Sequence, residues 1–208
     1  MSFLTPWGYE LADDQTMPVL LTSDEYGVYS GGRYAAHMER INAEISAACS
    51  AVRNYVGWHL APSMACTAEM TMQDRRISMV GRDILIQLPA KYVTAVSSVL
   101  LGGVSCDFSF QPNGILRCYD VELAGVKRYT KVTVSYTAGL PDELMDPIKE
   151  LIAHRVTHAV AVPSGITSEA SGGVSVTYNA GWINTAQSTT LQDTNKELLA
   201  PYVCRGVF

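Results

Sequence analysis

Cysteine pairs, basic runs and long apolar stretches are all missing from this sequence, and each absence excludes a class of function. The five cysteines, Cys49, Cys66, Cys106, Cys118 and Cys204, are odd in number and scattered, with no C-x-x-C spacing. Neither a disulfide framework nor a zinc knuckle is indicated, and all five are expected to be reduced, mostly buried small hydrophobes. The longest apolar runs, such as "VLLG" and "ILIQLP", fall well short of the roughly 20 residues that cross a bilayer, so a soluble protein is expected. The opening "MSFLTPWGYELADD" lacks the basic region, apolar stretch and small-residue cleavage site of a secretory signal, which makes the cytoplasm the expected place of synthesis. Lys and Arg never exceed two in succession ("DRR", "VKR") and the formal net charge is -5. A protein that grips duplex DNA neutralises several phosphates with a basic stripe. A DNA-binding packaging accessory is therefore disfavoured, and passing DNA would be left unbound.

Catalytic patterns are equally scarce. "GVSV" lacks the second glycine of a nucleophile elbow, and no cysteine has a histidine at a recognisable spacing. "SGGV" and "LGGV" lack the lysine of a phosphate-binding loop and the third glycine of a dinucleotide fingerprint. Asp74, Asp83, Asp142, Glu143 and Asp146 stand where turns and helix starts place carboxylates. His154 and His158 in "HRVTH" are four apart and share a helix face, but Arg155 stands where the zinc-protease pattern has glutamate, and a third ligand is not evident. The expectation is a protein that is not an enzyme and holds no metal or cofactor. A small metal-dependent hydrolase using His154 and His158 is the alternative from a different class.

What is present is pattern. With 48% hydrophobic and 17% charged residues in 208, the chain can bury a sizeable core. "TSDEY" at 22–26 reads as a helix start capped by Thr22 or Ser23, and "SGG" at 30–32 breaks that helix. From Arg33 to Val56, Tyr34, Met38, Ile41, Ile45, Ala48, Val52 and Tyr55 recur at spacings of 4 and 3, a single stripe on one helix face. Gly57 fits the left-handed position that ends such a helix, and Trp58, with His59 beside it, is expected to anchor the exit. Between about 64 and 137 the period falls to two: "ACTAEMTMQ", "ILIQL" and "KVTVSYT" read as strands, punctuated by "GRD", "LGG", "QPNG" and "LAG". The helical period returns after Pro141 and Asp142, with Leu144, Ile148, Leu151, Ile152, Ala159 and Val160 on one side. "PSGITSEASGG" reads as a loop, "VSVTYNAGW" as a short strand or extended arm, and a last helix stops near Pro201.

The expected fold class is α+β, a helical bundle of a long central helix plus C-terminal helices, carrying an inserted small antiparallel β module. The expected divisions are an arm over 1–21, a helical part over 22–63, the β module over 64–137, and a second helical part over 138–208 with a loop at 163–187.

The segments "AVRNYVGWHLAP", "VTVSYTAGLPDELMDPIKELIAHRV", "GITSEASGGVSVTYN" and "LLAPYVCRGVF" together resemble the head-to-tail connector (adaptor, head-completion) proteins of long-tailed bacteriophages. The likeness runs over about residues 22–208. It implies a structural virion protein of the neck, assembled in the host cytoplasm, that forms a homo-oligomeric ring of about twelve copies under the portal, joins the filled head to the tail and extends the DNA channel. Its implied partners are its own copies, the portal protein and a stopper or tail-completion protein, with genomic DNA passing through unbound and no membrane. About twelve copies of a chain of charge -5 carry roughly -60, which suits a lumen that does not hold DNA, provided the acidic residues line it. The family's usual portal contact places Leu199, Tyr202, Arg205, Val207 and Phe208 toward the portal. Subunit contacts are expected from Ile41, Ile45 and Ala48 on the long helix and from Val174, Val176 and Tyr178. Another neck ring, a stopper or tail terminator, is the alternative within structural proteins.

Overall fold

The computed structural model describes residues 3–11, 17–32, 38–119, 121, 127–161, 168–171, 174–177 and 193–204. Among these residues there are four α-helices and twelve strands. The chain divides into two compact units, each built from separate stretches of sequence: a β unit from Met1–Pro18, Val56–Asp142 and Tyr202–Phe208, and a helical unit from Val19–Tyr55 and Glu143–Pro201.

The β unit holds two antiparallel sheets. Strands β1 (Phe3–Leu4), β2 (Tyr9–Leu11), β3 (Met64–Thr71), β6 (Val93–Leu101), β7 (Val104–Ser105) and β10 (Lys131–Ala138) form a six-stranded sheet in the order β1-β2-β3-β10-β6-β7. Strands β4 (Ile77–Val80), β5 (Asp83–Gln87), β8 (Phe108–Phe110) and β9 (Ile115–Cys118) form a four-stranded sheet in the order β4-β5-β9-β8. The two-residue period fixes which face is buried. In the larger sheet Val132, Val134 and Tyr136 of β10 stand opposite Met70, Ala68 and Cys66 of β3, and all six are buried. In the smaller sheet Ile84 and Ile86 stand opposite Cys118 and Leu116, all buried. Two close approaches require glycine. A Cβ at Gly114, whose φ is +85°, would lie 2.3 Å from the Ala90 carbonyl oxygen, and one at Gly139 would lie 2.3 Å from Ser63 Cα.

In the helical unit α1 (Ser23–Tyr29) begins with a capping box. Glu25 N–H donates to Thr22 Oγ1 at 3.3 Å, and Thr22 N–H donates to Glu25 Oε2 at 2.8 Å. Lys149 of α3 (Asp146–Ala161) pairs with the same carboxylate, and this contact, with the Thr22 N–H, holds the Glu25 carboxyl below its ordinary range. Helix α2 (Met38–Val56) buries Ile41, Ile45, Ala48 and Val52. It is tied to α3 by the Arg40 guanidinium, which donates to the Ala159 carbonyl at 2.7 Å. It is tied to α4 (Asp193–Leu199) by the Tyr55 hydroxyl, which donates to the Lys196 carbonyl at 3.4 Å. Strands β11 (Ser168–Ser171) and β12 (Val174–Thr177) form a two-stranded hairpin of their own. A one-turn 3-10 helix, Ala200–Tyr202, follows α4.

This architecture corrects the expected fold class. The chain is a mixed α/β protein in which strands form a two-sheet body with its own core, and it is not a helical bundle with a small β insertion. The reason is physical. Among the described residues eight strands lie between 64 and 138, and five of them, β3, β5, β6, β9 and β10, carry buried side chains, which takes more than a hairpin module to satisfy. The segment expected as an arm adds β1 and β2 to the larger sheet, with Tyr9 opposite Ala68 and Leu11 opposite Cys66. Two of the four helices, α1 and α4, are only 7 residues long.

Candidate functional site

The exit of α2 is the best-defined locus of the β unit. Gly57 adopts φ +79°, the left-handed conformation that glycine takes without a Cβ penalty. Ending a helix leaves carbonyl groups without intrahelical donors. One is satisfied from far along the sequence: Cys204 N–H donates to the Val56 carbonyl at 2.8 Å. The Cys204 thiol in turn donates to the Leu88 carbonyl at 3.7 Å. Trp58 is fully buried, and its indole Nε1–H donates to the Tyr202 carbonyl at 2.8 Å. The indole stacks on the Tyr92 ring at 6.5 Å between centroids and 8° between planes, and Tyr92 lies 6.3 Å from Tyr202. Residues 202–204 are thereby fixed to the helix exit by one backbone hydrogen bond, one hydrogen bond from the Trp58 side chain and the aromatic rings of Trp58, Tyr92 and Tyr202.

His59 is also fully buried, and its hydrogen bonds define its tautomer. The Ala138 carbonyl can only accept, so the ring proton sits on Nε2 and is donated to it at 2.9 Å. Nδ1 of the neutral ring then accepts from the Tyr9 hydroxyl, 2.8 Å away, and that hydroxyl accepts in turn from the His59 backbone N–H at 2.9 Å. Next to the helix exit, Leu140 N–H donates to the Leu60 carbonyl at 2.7 Å. His59 thus joins β2, the α2 exit and the end of β10. Tyr136 of the same sheet, 6.3 Å from Tyr9 between ring centroids, has its hydroxyl buried with no hydrogen-bond partner among the described residues. Burial pushes its phenol well above the ordinary value.

The expected contact residues fall in different places. Leu199 is fully buried in the chain's own packing and offers no surface. Tyr202 is half-buried against Tyr92. Arg205, Val207 and Phe208 lie outside the described residues, as does Tyr178. Ile41, Ile45 and Ala48 are buried within the chain at 1, 2 and 1% exposure, so their side chains are out of a second copy's reach. Val174 and Val176 stand on β12. The residues that complete the locus, Tyr9, Tyr92, Ala138 and the backbone of 202–204, carry no local signal in the sequence, because each is brought in by long-range pairing.

The chemistry available elsewhere is sparse. All five cysteines are free thiols, four of them buried, and burial pushes the Cys66 thiol up to about 12, far from a reactive thiolate at neutral pH. His154 and His158 on α3 bring their Nε2 atoms to 3.2 Å. Among the described residues no group of three or more His, Cys, Asp or Glu side chains could hold a metal ion, and no helix is long and apolar enough to cross a membrane. No family model matches this chain, and a search of curated proteins finds no match.

Proposed function

We propose that this chain is a neck protein of a long-tailed phage particle, a head-to-tail connector that forms a ring of about twelve copies under the portal and continues the DNA channel toward the tail. One observation supports the reading more than any other: three of the four segments that carry the resemblance, widely separated in sequence, meet at one locus. "GWHLAP" meets "LLAPYVC" through Trp58 Nε1–H to the Tyr202 carbonyl and Cys204 N–H to the Val56 carbonyl. It meets "SYTAGL" through His59 to Ala138 and Leu140 to Leu60. A segment clamped at Cys204 gives whatever follows a fixed point of departure, which suits Arg205–Phe208 to dock on a portal. Tyr202 then holds the clamp, and Leu199 belongs to the core. The protein has no catalytic role in this reading, its partners are its own copies, the portal and a stopper or tail-completion protein, and the acidic balance of -5 lets DNA pass unbound.

The test mixes the purified protein with its cognate portal and measures mass by light scattering alongside negative-stain imaging. Co-assembly that is lost on deleting residues 205–208, with Trp fluorescence unchanged, is the expected result. Full binding by the deletion variant would remove the docking role from that segment, and a chain that ignores the portal would overturn the connector reading. A second reading, a stopper or tail-terminator ring of the same neck, is favoured by the strand-rich β unit. Binding to tail-side proteins in place of the portal would select it.

A further inference from the structure

Helix α3 buries Ile148, Ile152 and Val156 and leaves His154 exposed and His158 half-exposed, one turn apart. Their Nε2 atoms are 3.2 Å apart, with ring centroids at 4.4 Å and planes at 72°. At a solvated surface water can serve each of these nitrogens, so hydrogen-bond satisfaction alone does not demand the pairing. The spacing has a second meaning. Two imidazole nitrogens bound at 2.0–2.1 Å to one tetrahedral ion lie about 3.3 Å apart, close to the separation of this pair.

The charges around the pair are compatible with an ion. Burial, and then the nearness of His154, pull the proton affinity of His158 down. Arg155, the cation between them in sequence, has its proton affinity lowered by burial, against the opposing pull of Glu44 of α2. It occupies the position where a zinc protease has its general base, so the chemistry offered is binding without hydrolysis. With no third side chain of metal-binding type beside them among the described residues, the remaining positions belong to water or to a donor on another molecule.

We infer that His154 and His158 form a surface site for one divalent late transition-metal ion, nickel, copper or zinc. The site stands on α3 alone and does not depend on the connector reading. Calorimetric titration of the full chain with Ni2+, Cu2+ and Zn2+ at pH 7.5 tests it. The expected result is one ion per chain, with copper tightest, and a loss of at least tenfold in affinity in both His154→Ala and His158→Ala, since each leaves a single nitrogen. Retention of the untagged protein on immobilised nickel, and its loss in both variants, is the parallel readout. The electron paramagnetic resonance spectrum of the copper complex should show two imidazole nitrogens. Absence of binding, or binding by the variants equal to that of the parent chain, would overturn the assignment and, in the latter case, send the ion elsewhere.

Discussion

Two tyrosine hydroxyls lie buried in the core of the β unit, and their removal should have opposite effects. In Tyr9→Phe the lost oxygen is the acceptor for His59 N–H and the donor to His59 Nδ1. Both groups then lose this buried partner, at about 1–3 kcal/mol each, offset in part by the hydroxyl's own desolvation no longer being required. The net expectation is a loss of about 2–4 kcal/mol. In Tyr136→Phe the removed hydroxyl has no partner to lose among the described residues, so the change should be neutral or stabilising by about 1 kcal/mol. Urea unfolding followed by tryptophan fluorescence reads both, because Trp7 and Trp58 lie in this unit. With a slope of about 2 kcal/mol per molar, the Tyr9→Phe midpoint should fall by about 1–2 M while that of Tyr136→Phe holds or rises. Equal slopes are required for the comparison. A Tyr9→Phe midpoint within about 0.25 M of the parent, or a Tyr136→Phe loss as large as that of Tyr9→Phe, would refute the hydrogen-bond assignment around His59.

Trp58→Phe keeps most of the buried ring area and removes the donor to the Tyr202 carbonyl; a loss of about 1 kcal/mol with faster proteolysis after residue 200 is expected in urea unfolding and limited digestion. Gly139→Ala drives a Cβ to 2.3 Å from Ser63 Cα and should cost about 1–3 kcal/mol, whereas Gly27→Ala, in α1 with nothing within 4 Å, should stabilise by about 0.5–1 kcal/mol; thermal melts of the pair decide. The Arg76 guanidinium holds the Asp74 carboxyl below its ordinary value through a two-bond ion pair at 2.9 and 2.7 Å. A lowered folded-state value means stability that is present above the ordinary carboxylate range and is lost as pH falls through the folded value. Asp74→Asn should therefore weaken the protein at pH 7 and flatten the acid limb of its stability profile, as measured by urea midpoints between pH 7 and pH 3.

The legibility of this fold follows the range of the forces involved. Helix α2 and the capping box at Thr22 are local, so a stripe at spacings of 3 and 4 and a Thr-x-x-Glu pattern reveal them. The alternation of Cys66, Ala68 and Met70 is local as well, and it marks the buried face of β3. Strands β1 and β2 are 2 and 3 residues long, too short for any period, and they exist because the edge of β3 accepts β2 and β2 accepts β1. The extent of the β unit was therefore hidden, and with it the balance between strands and helices. At the α2 exit, Gly57, Trp58 and His59 stand out as residues. Their partners Tyr9, Tyr92, Ala138 and Tyr202 are ordinary in sequence and meet them only through tertiary packing.

The division of the β unit among three stretches of sequence also bears on how the chain is made. Of these groups Tyr9 leaves the ribosome first, His59 and Ala138 next, and the Cys204 amide that covers the Val56 carbonyl after them. The helical unit's stretches emerge in between. A nascent chain can therefore build β3 and β10 as soon as both are out, yet it must hold the α2 exit open until translation reaches residue 204. A later-made stretch closes a structure that an earlier one begins, so order of synthesis and order of completion differ within this unit.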